Sequence, residues 1–158
     1  MILARCKLPK VKIPKSVRFD SRQRDIETRS DLVPFGADIW IACRFAWPHV
    51  DHDYTDALLF LTLSVESDHV AGDAQLDGVN AAVPAGTLFV IDPTVAHWLA
   101  PQEAWCRRDS PGWIGVQWEV PRLDAPATAR EIVDAMAGVW DIRDDRYRGW
   151  NIDNAGRP

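Results

Sequence analysis

The sequence lacks the long apolar runs, paired cysteines and signal-like N-terminus that identify several large classes of protein. Its longest apolar run, residues 57–61, is far shorter than the roughly 20 residues of a membrane-spanning helix. Lysines interrupt the first 15 positions, which predicts no secretory signal. The three cysteines form no Cys-x-x-Cys pair, which argues against a disulfide scaffold or a zinc ribbon. Together these features predict a protein of the reducing cytoplasm with no membrane partner.

Motifs of the commonest enzyme classes are also missing. The chain contains no Gly-x-Ser-x-Gly elbow, no Gly-x-x-x-x-Gly-Lys phosphate loop and no Gly-x-Gly-x-x-Gly. Cys106 has no neighbour in the sequence that would activate it as a nucleophile. Serine hydrolase, nucleotide-binding and thiol chemistry therefore find no support.

The composition is that of a globular protein with an unusual number of large aromatics. The chain has 158 residues, 47% hydrophobic and 26% charged, which predicts a single domain over residues 1–158 with a buried core. Eight tryptophans stand out, because such side chains usually line cores or binding pockets.

Charge is distributed unevenly along the chain. Residues 1–30 carry nine Lys/Arg and three Asp/Glu, a balance of +6, so the remainder carries −11 within a net charge of −5. A basic N-terminal arm of this kind can contact nucleic acid or an acidic partner. In a second interpretation, which we favour, the arm lies against the acidic body of its own chain.

Alternation of apolar residues predicts a β core over residues 39–120. Ile114, Val116, Trp118 and Val120 fall on one face of a strand, and Trp113, Gly115, Gln117 and Glu119 on the other. Residues 56–65 alternate too, but leucine favours helices, so strand and helix both stay open there. Several short strands at such spacing are typical of a sandwich or barrel.

The two ends of the chain differ from this core. Residues 8–14 alternate apolar and basic residues between prolines, which indicates an extended edge segment. Residues 127–140 have apolar residues at helical spacing, with Pro126 suited to the first turn of a C-terminal helix. The tail, residues 141–158, is polar.

The pattern that points to chemistry is His49-Val50-Asp51 together with the distant His97. A His and an Asp two residues apart on an extended segment point to the same side. With one further imidazole they form a set of two histidines and one carboxylate, which suits non-haem Fe(II).

The sequence around His97 resembles a known superfamily. In residues 83–101, Gly86 opens a strand, the strand runs into a proline turn, and His97 begins the next stretch. This arrangement is similar to the double-stranded β-helix (jelly-roll, cupin-like) superfamily, which includes the cupins and the 2-oxoglutarate/Fe(II)-dependent dioxygenases. The resemblance covers roughly residues 39–120.

Within that superfamily, His-x-Asp with a distal His looks most like the dioxygenases. The resemblance implies an all-β double-stranded β-helix with a C-terminal helix outside it, and Fe(II) held by His49, Asp51 and His97. It also implies that Arg107 or Arg108 pairs with the far carboxylate of 2-oxoglutarate. Trp47, Trp98 and Trp105 are close to these ligands in sequence and are candidates for the pocket wall. The implied activity is hydroxylation of a substrate that the sequence does not identify.

Other interpretations stay open. The chain could be a cupin-like metal or small-molecule binder without 2-oxoglutarate, or a non-catalytic protein that engages a partner through its basic arm. A homo-oligomer could complete the site of so short a chain. The His49–Asp51 stretch could be a solvated loop, and Arg107–Arg108 a surface pair. We expect His52 and His69 at the surface, although His52 could replace His49.

Overall fold

The computed structural model describes residues 2–18, 27–29, 32–74, 80–102, 112–136 and 139–141. These residues form eleven strands, one α-helix and two 3-10 turns, at Lys15–Val17 and Pro34–Gly36. The strands are β1 (Ile2–Cys6), β2 (Glu27–Arg29), β3 (Ile39–Cys43), β4 (Ala46–His49), β5 (Leu58–Glu66), β6 (His69–Asp73), β7 (Ala81–Ala82), β8 (Thr87–Ile91), β9 (His97–Pro101), β10 (Trp113–Pro121) and β11 (Val139–Asp141), and the helix is α1 (Ala125–Asp134). The prediction of a mostly β protein with one C-terminal helix is confirmed.

The strands form two antiparallel sheets. One sheet has seven strands in the order β11-β1-β8-β5-β10-β3-β2, and the other has four in the order β4-β9-β6-β7. From β3 to β10 the chain passes repeatedly from one sheet to the other, so strands that are neighbours in sequence often lie in different layers. A residue at the end of one strand is therefore brought close to residues distant in sequence.

The pairing of β5 with β10 shows why residues 58–66 form a strand. Leu61 lies opposite Trp118 and Thr62 opposite Gln117, so both strands divide their residues between the same two faces. Leu59, Leu61, Leu63 and Val65 join Val116 and Trp118 in the main hydrophobic core. Cross-strand pairing and burial thus override the helical preference of leucine. The opposite face of the sheet turns toward the four-stranded sheet.

The helix α1 covers the core face of the seven-stranded sheet. Ala125, Ala129, Ile132 and Val133 are buried there, and proline occupies its first turn as the sequence predicted. The helix ends at Asp134, earlier than the predicted position 140, and residues 139–141 pair with β1 as β11. Among the described residues, no helix has the length and apolar character needed to cross a membrane.

The basic N-terminal segment is partly built into the fold. Residues 2–6 form β1, which lies inside the seven-stranded sheet between β8 and β11. Residues 8–14 form no strand, because Pro9 and Pro14 lack the N–H that a ladder requires. Their apolar side chains pack on the core, and the Arg18 guanidinium donates to both carboxylate oxygens of Glu66, at 3.0 and 3.1 Å. Of the residues predicted as an arm, 1, 19–26 and 30 lie outside the described residues.

Candidate metal centre

The fold brings His49, Asp51 and His97 together, and we call these three residues the triad. His49 ends β4 and His97 begins β9; the two strands are antiparallel neighbours, and these residues are partners in the register. Asp51 follows β4 in a loop, where its backbone N–H donates to the carbonyl of Pro93 at 2.9 Å. One ligand atom from each side chain can be chosen so that all three lie within 4.8 Å of one another.

Main-chain carbonyls set the protonation pattern of both imidazoles. The Nδ1–H of His49 donates to the carbonyl of Trp47 at 2.6 Å, and the Nδ1–H of His97 donates to the carbonyl of Val95 at 2.9 Å. A carbonyl oxygen only accepts, so each ring keeps its proton on Nδ1. The Nε2 atom of each neutral ring is then an available lone pair. Metal-binding histidines are commonly oriented by this kind of outer hydrogen bond.

The three side chains converge as acceptors. His49 Nε2 lies 3.5 Å from Asp51 Oδ1, and His97 Nε2 lies 3.6 Å from Asp51 Oδ2. Within the described part of the chain, no donor makes a hydrogen bond to the Asp51 carboxylate. When both rings carry a lone pair on Nε2, these nitrogens and the carboxylate repel one another unless a cation lies between them. Metal bonds to such atoms are about 2.0–2.2 Å long, so small side-chain rotations would let all three bind one ion.

Burial favours the neutral form of the inner histidine. The side chain of His97 is 9% exposed, whereas those of His49 and Asp51 are 34% and 27% exposed. Desolvation by burial lowers the pKa of His97 below its ordinary value, with the nearby His49 acting in the same direction; the hydrogen bond to Val95 and the charges of Asp51 and Asp73 act against it. A neutral imidazole is the form that binds a metal.

The triad borders a cavity of about 220 Å³ between the two sheets. Most of the lining is apolar, and Phe89 and Trp113 meet edge to face with their ring centroids 6.3 Å apart. The cavity is lined from the seven-stranded sheet by Ile39, Ile41, Cys43, Phe60, Thr62, Phe89, Ile91, Trp113, Gln117 and Glu119, from the four-stranded sheet by Ala46, His49, Ala71, Gly72, His97, Trp98 and Leu99, and from the loop after β4 by Asp51 and Tyr54. Such a concave, mostly apolar space with a few polar groups is typical of a small-molecule site.

Four further polar side chains line the cavity: Tyr54, Thr62, Gln117 and Glu119. Tyr54 donates its hydroxyl to Glu119 Oε1 at 2.9 Å, and its ring meets Phe60 edge to face. Thr62 donates its hydroxyl to Gln117 Oε1 at 3.3 Å. Desolvation, the Glu119 bond and charge, and the charges of Asp51 and Asp53 raise the pKa of Tyr54 to about 12. Tyr54 is therefore a neutral hydroxyl at physiological pH.

Of the remaining predicted residues, some line the cavity, some are exposed, and some lie outside the described part of the chain. Arg107, Arg108 and Trp105 lie outside the described residues. Trp98 lines the cavity, whereas Trp47 does not and is 56% exposed. His52 is exposed, as expected.

The expectation that His69 lies at the surface is wrong. His69 is 1% exposed, because it begins β6 between β7 and β9. Its Nε2–H donates to the carbonyl of Arg44 at 2.7 Å, and its Nδ1 shares a 2.6 Å hydrogen bond with Asp68 Oδ1. Both ring nitrogens are thus engaged, so His69 is a structural residue outside the triad.

Sequence reasoning did not assign a role to Tyr54, Gln117 or Glu119. The alternation in β10 did put Gln117 and Glu119 on the same face as Trp113, and a polar residue beside a large aromatic on an inward face signals a pocket. No comparable signal exists for Tyr54, since only the path of the loop brings it to Glu119.

Comparison with known proteins gave no match. No protein-family model, no curated protein and no solved structure is significantly similar to this chain.

Proposed function

We propose that this protein binds one divalent metal ion through His49, Asp51 and His97 and acts as a metal-dependent oxygenase on a small, mostly apolar substrate. The observation that carries the proposal is the convergence of three acceptors, with both imidazoles held in the metal-binding tautomer by main-chain carbonyls. Fe(II) is the ion we favour, because two histidines and one carboxylate on one side leave its other positions open.

The strand order supports the superfamily that the sequence resembles. Strands β3 to β10 are arranged as β8-β5-β10-β3 in one layer and β4-β9-β6-β7 in the other. Eight strands wound into two facing antiparallel sheets are what a jelly roll requires. We infer a double-stranded β-helix with β1, β2, β11 and α1 added around it. In that arrangement the triad lies at one end of the space between the layers.

The side chains of this chain would supply position and shielding. His49, Asp51 and His97 would hold the ion at the border of the cavity, and the apolar walls would exclude water and hold a substrate beside it. When bound, Fe(II) would activate O₂ for attack on a nearby C–H bond. The Tyr54 hydroxyl and the Glu119 carboxylate would orient the polar end of the substrate.

We further propose that the enzyme uses 2-oxoglutarate as co-substrate. This proposal depends on Arg107 and Arg108, because the co-substrate carboxylate needs a basic partner. No lysine or arginine lines the cavity in the part of the chain that the structure describes. One of these two arginines would therefore have to reach the co-substrate carboxylate. If neither does, the second candidate holds: a cupin-like metal site that binds its small molecule directly, without 2-oxoglutarate.

The first experiment is an anaerobic Fe(II) titration of the metal-free protein. We expect one ion per chain, with binding abolished in His97→Ala because a ligand is lost. His52→Ala is the matched control, since this exposed histidine is three residues from His49 but outside the triad. Unchanged Fe(II) affinity in His97→Ala, or a loss in His52→Ala as large as in His97→Ala, would refute the assigned ligand set.

The second experiment adds 2-oxoglutarate to the Fe(II) protein and follows visible absorption. A new charge-transfer band that weakens in Arg107→Ala or Arg108→Ala would support the dioxygenase form. Iron binding without any response to 2-oxoglutarate would favour the cupin-like form instead. If the charge-transfer band is unchanged in both arginine variants, neither arginine binds the co-substrate, and the assignment of the metal ligands is unaffected.

A further inference from the structure

We propose that the cavity takes a small apolar molecule with a cationic amino group, for which Glu119 is the counter-ion, and with an oxygen that accepts from Gln117. The inference rests on the proposed function only in placing this molecule beside the metal. It names the class of substrate, which the metal ligands alone do not determine.

The charges in the described lining of the cavity favour a cation. Glu119 and Asp51 are carboxylates, and the described lining carries no lysine or arginine. An arginine that binds 2-oxoglutarate under the proposed function would be paired with the co-substrate carboxylate and so would leave Glu119 without a counter-ion. The described residues give Glu119 no ion-pair partner; its carboxylate accepts from the neutral hydroxyl of Tyr54. The triad uses Asp51 for the metal, so Glu119 is left as the carboxylate available to a ligand. In a mostly apolar cavity such a charge attracts an amino group more strongly than it would in water.

Glu119 and the triad lie toward the same end of the cavity. Glu119 pairs with Phe60, and Phe60 pairs with Ile91 at the end of β8. The chain then makes the turn that leads into His97, and Pro93 in this turn accepts from the N–H of Asp51. Tyr54, three residues after Asp51, bridges the remaining gap to Glu119. A molecule held by Glu119 therefore lies close to the proposed metal.

Gln117 supplies a second, independent sign of a polar ligand. Its side chain lines the cavity and is only 5% exposed. Its Oε1 accepts from Thr62, but no described group accepts from its amide NH₂. A buried amide without an acceptor is costly, so a ligand oxygen that accepts from it would be favoured. Gln117 and Glu119 are two residues apart on β10 and so share the inward face.

The volume limits the body of the ligand to about one ring with a short chain. A dry cavity of roughly 150 Å³ is known to admit benzene, and this one measures about 220 Å³. Phe89, Trp113 and Leu99 provide the apolar surface against which such a ring would pack.

The test uses three probes with the same ring and different head groups: 2-phenylethylamine, phenylacetate, and 2-amino-1-phenylethanol, which adds a hydroxyl. Binding to the full chain is measured by calorimetry, first metal-free and then with Zn(II). We expect the amine to bind at least about tenfold more tightly than phenylacetate, because Glu119 attracts one and repels the other. The hydroxylated amine should bind more tightly still, and Gln117→Met should remove that difference.

Variants assign the effect to Glu119. Glu119→Gln should weaken amine binding at least about tenfold, whereas Glu131→Gln, which removes the same charge from the exposed side of α1, should leave it unchanged. Equal binding of phenylacetate and the amine, or equal effects of the two variants, would overturn the proposal. If Glu119→Gln does not fold, the relative affinities of the three probes for the unaltered chain decide whether the proposal holds. Amine binding in a chain that binds no metal would keep this inference and refute the proposed function.

Discussion

The two faces of the seven-stranded sheet differ in what they contact. One face packs against α1 and the N-terminal segment in a continuous core whose members include Leu61, Val116 and Trp118, all at most 5% exposed. The other face looks across the cavity to the four-stranded sheet, where the buried cluster is much smaller and includes Phe89 and Trp113. The same strands thus bury apolar side chains in the main core on one face and line the cavity on the other.

This difference shows how a short chain can accommodate a site. Burial of a large aliphatic side chain contributes about 1.5–3 kcal/mol, so the filled face can supply much of the stability. The cavity face can then carry side chains that packing alone would not select, such as Gln117 and Glu119. The helix α1 therefore contributes to the main core and lies on the face of the sheet opposite to the cavity.

The largest contrast should come from truncating one aliphatic side chain on each face. Leu61→Ala should lower the free energy of unfolding by about 2–5 kcal/mol, because it opens a hole in a filled core. Ile41→Ala should cost only about 1 kcal/mol, because Ile41 is half-buried and already borders the cavity. Urea denaturation of both variants measures the difference. Equal losses would contradict the division into a filled and an open face.

A second contrast compares two buried histidines. His69→Ala should lower the free energy of unfolding by about 1–3 kcal/mol, because the Arg44 carbonyl loses its buried donor. His97→Ala should change the unfolding free energy of the metal-free chain less, because it removes one of three mutually repelling acceptors. Metal affinity should show the reverse order, intact in His69→Ala and lost in His97→Ala. Parallel losses of both properties in both variants would mean that the triad is structural.

The smallest effect concerns Tyr54. Its pKa of about 12 lies above the ordinary value near 10, so the folded state keeps a proton that the unfolded chain releases. Its contribution to stability should be complete below pH 10 and be lost as the pH rises toward 12. Absorbance titration near 295 nm, with Tyr54→Phe to assign the signal, measures this pKa. Glu119→Gln should move it down toward 10; an unmoved value would argue against the hydrogen bond between them.

The triad was predictable from the sequence because its signal is local. The spacing of His49 and Asp51, and the glycine-led strand that precedes His97, predicted three residues that the fold does bring together. The glycine has a physical basis: Gly86 has φ +88°, and a Cβ there would overlap the carbonyl oxygen of Cys6. The β character of β10 also followed from alternation, whereas alternation left β5 open between strand and helix until its pairing with β10 was known.

Other features depended on contacts between distant segments and could not be predicted in this way. His69 is polar and isolated in the sequence, and only its position between two strands makes it buried. The short strand β11 forms because one edge of β1 is available for pairing. The sequence of residues 139–141 does not indicate this pairing. The link from Tyr54 to Glu119 spans 65 positions and arises from the course of one loop.

The carbonyls that hold the two imidazoles have a consequence for how this site can evolve. Both belong to the residue two positions earlier, Trp47 for His49 and Val95 for His97, and a main-chain oxygen is present whatever side chain that residue carries. Mutational drift at positions 47 and 95 therefore leaves the orientation of both rings unaltered. A lineage of such proteins could diverge widely in sequence and still inherit the centre, provided that three side chains and the path of the backbone persist.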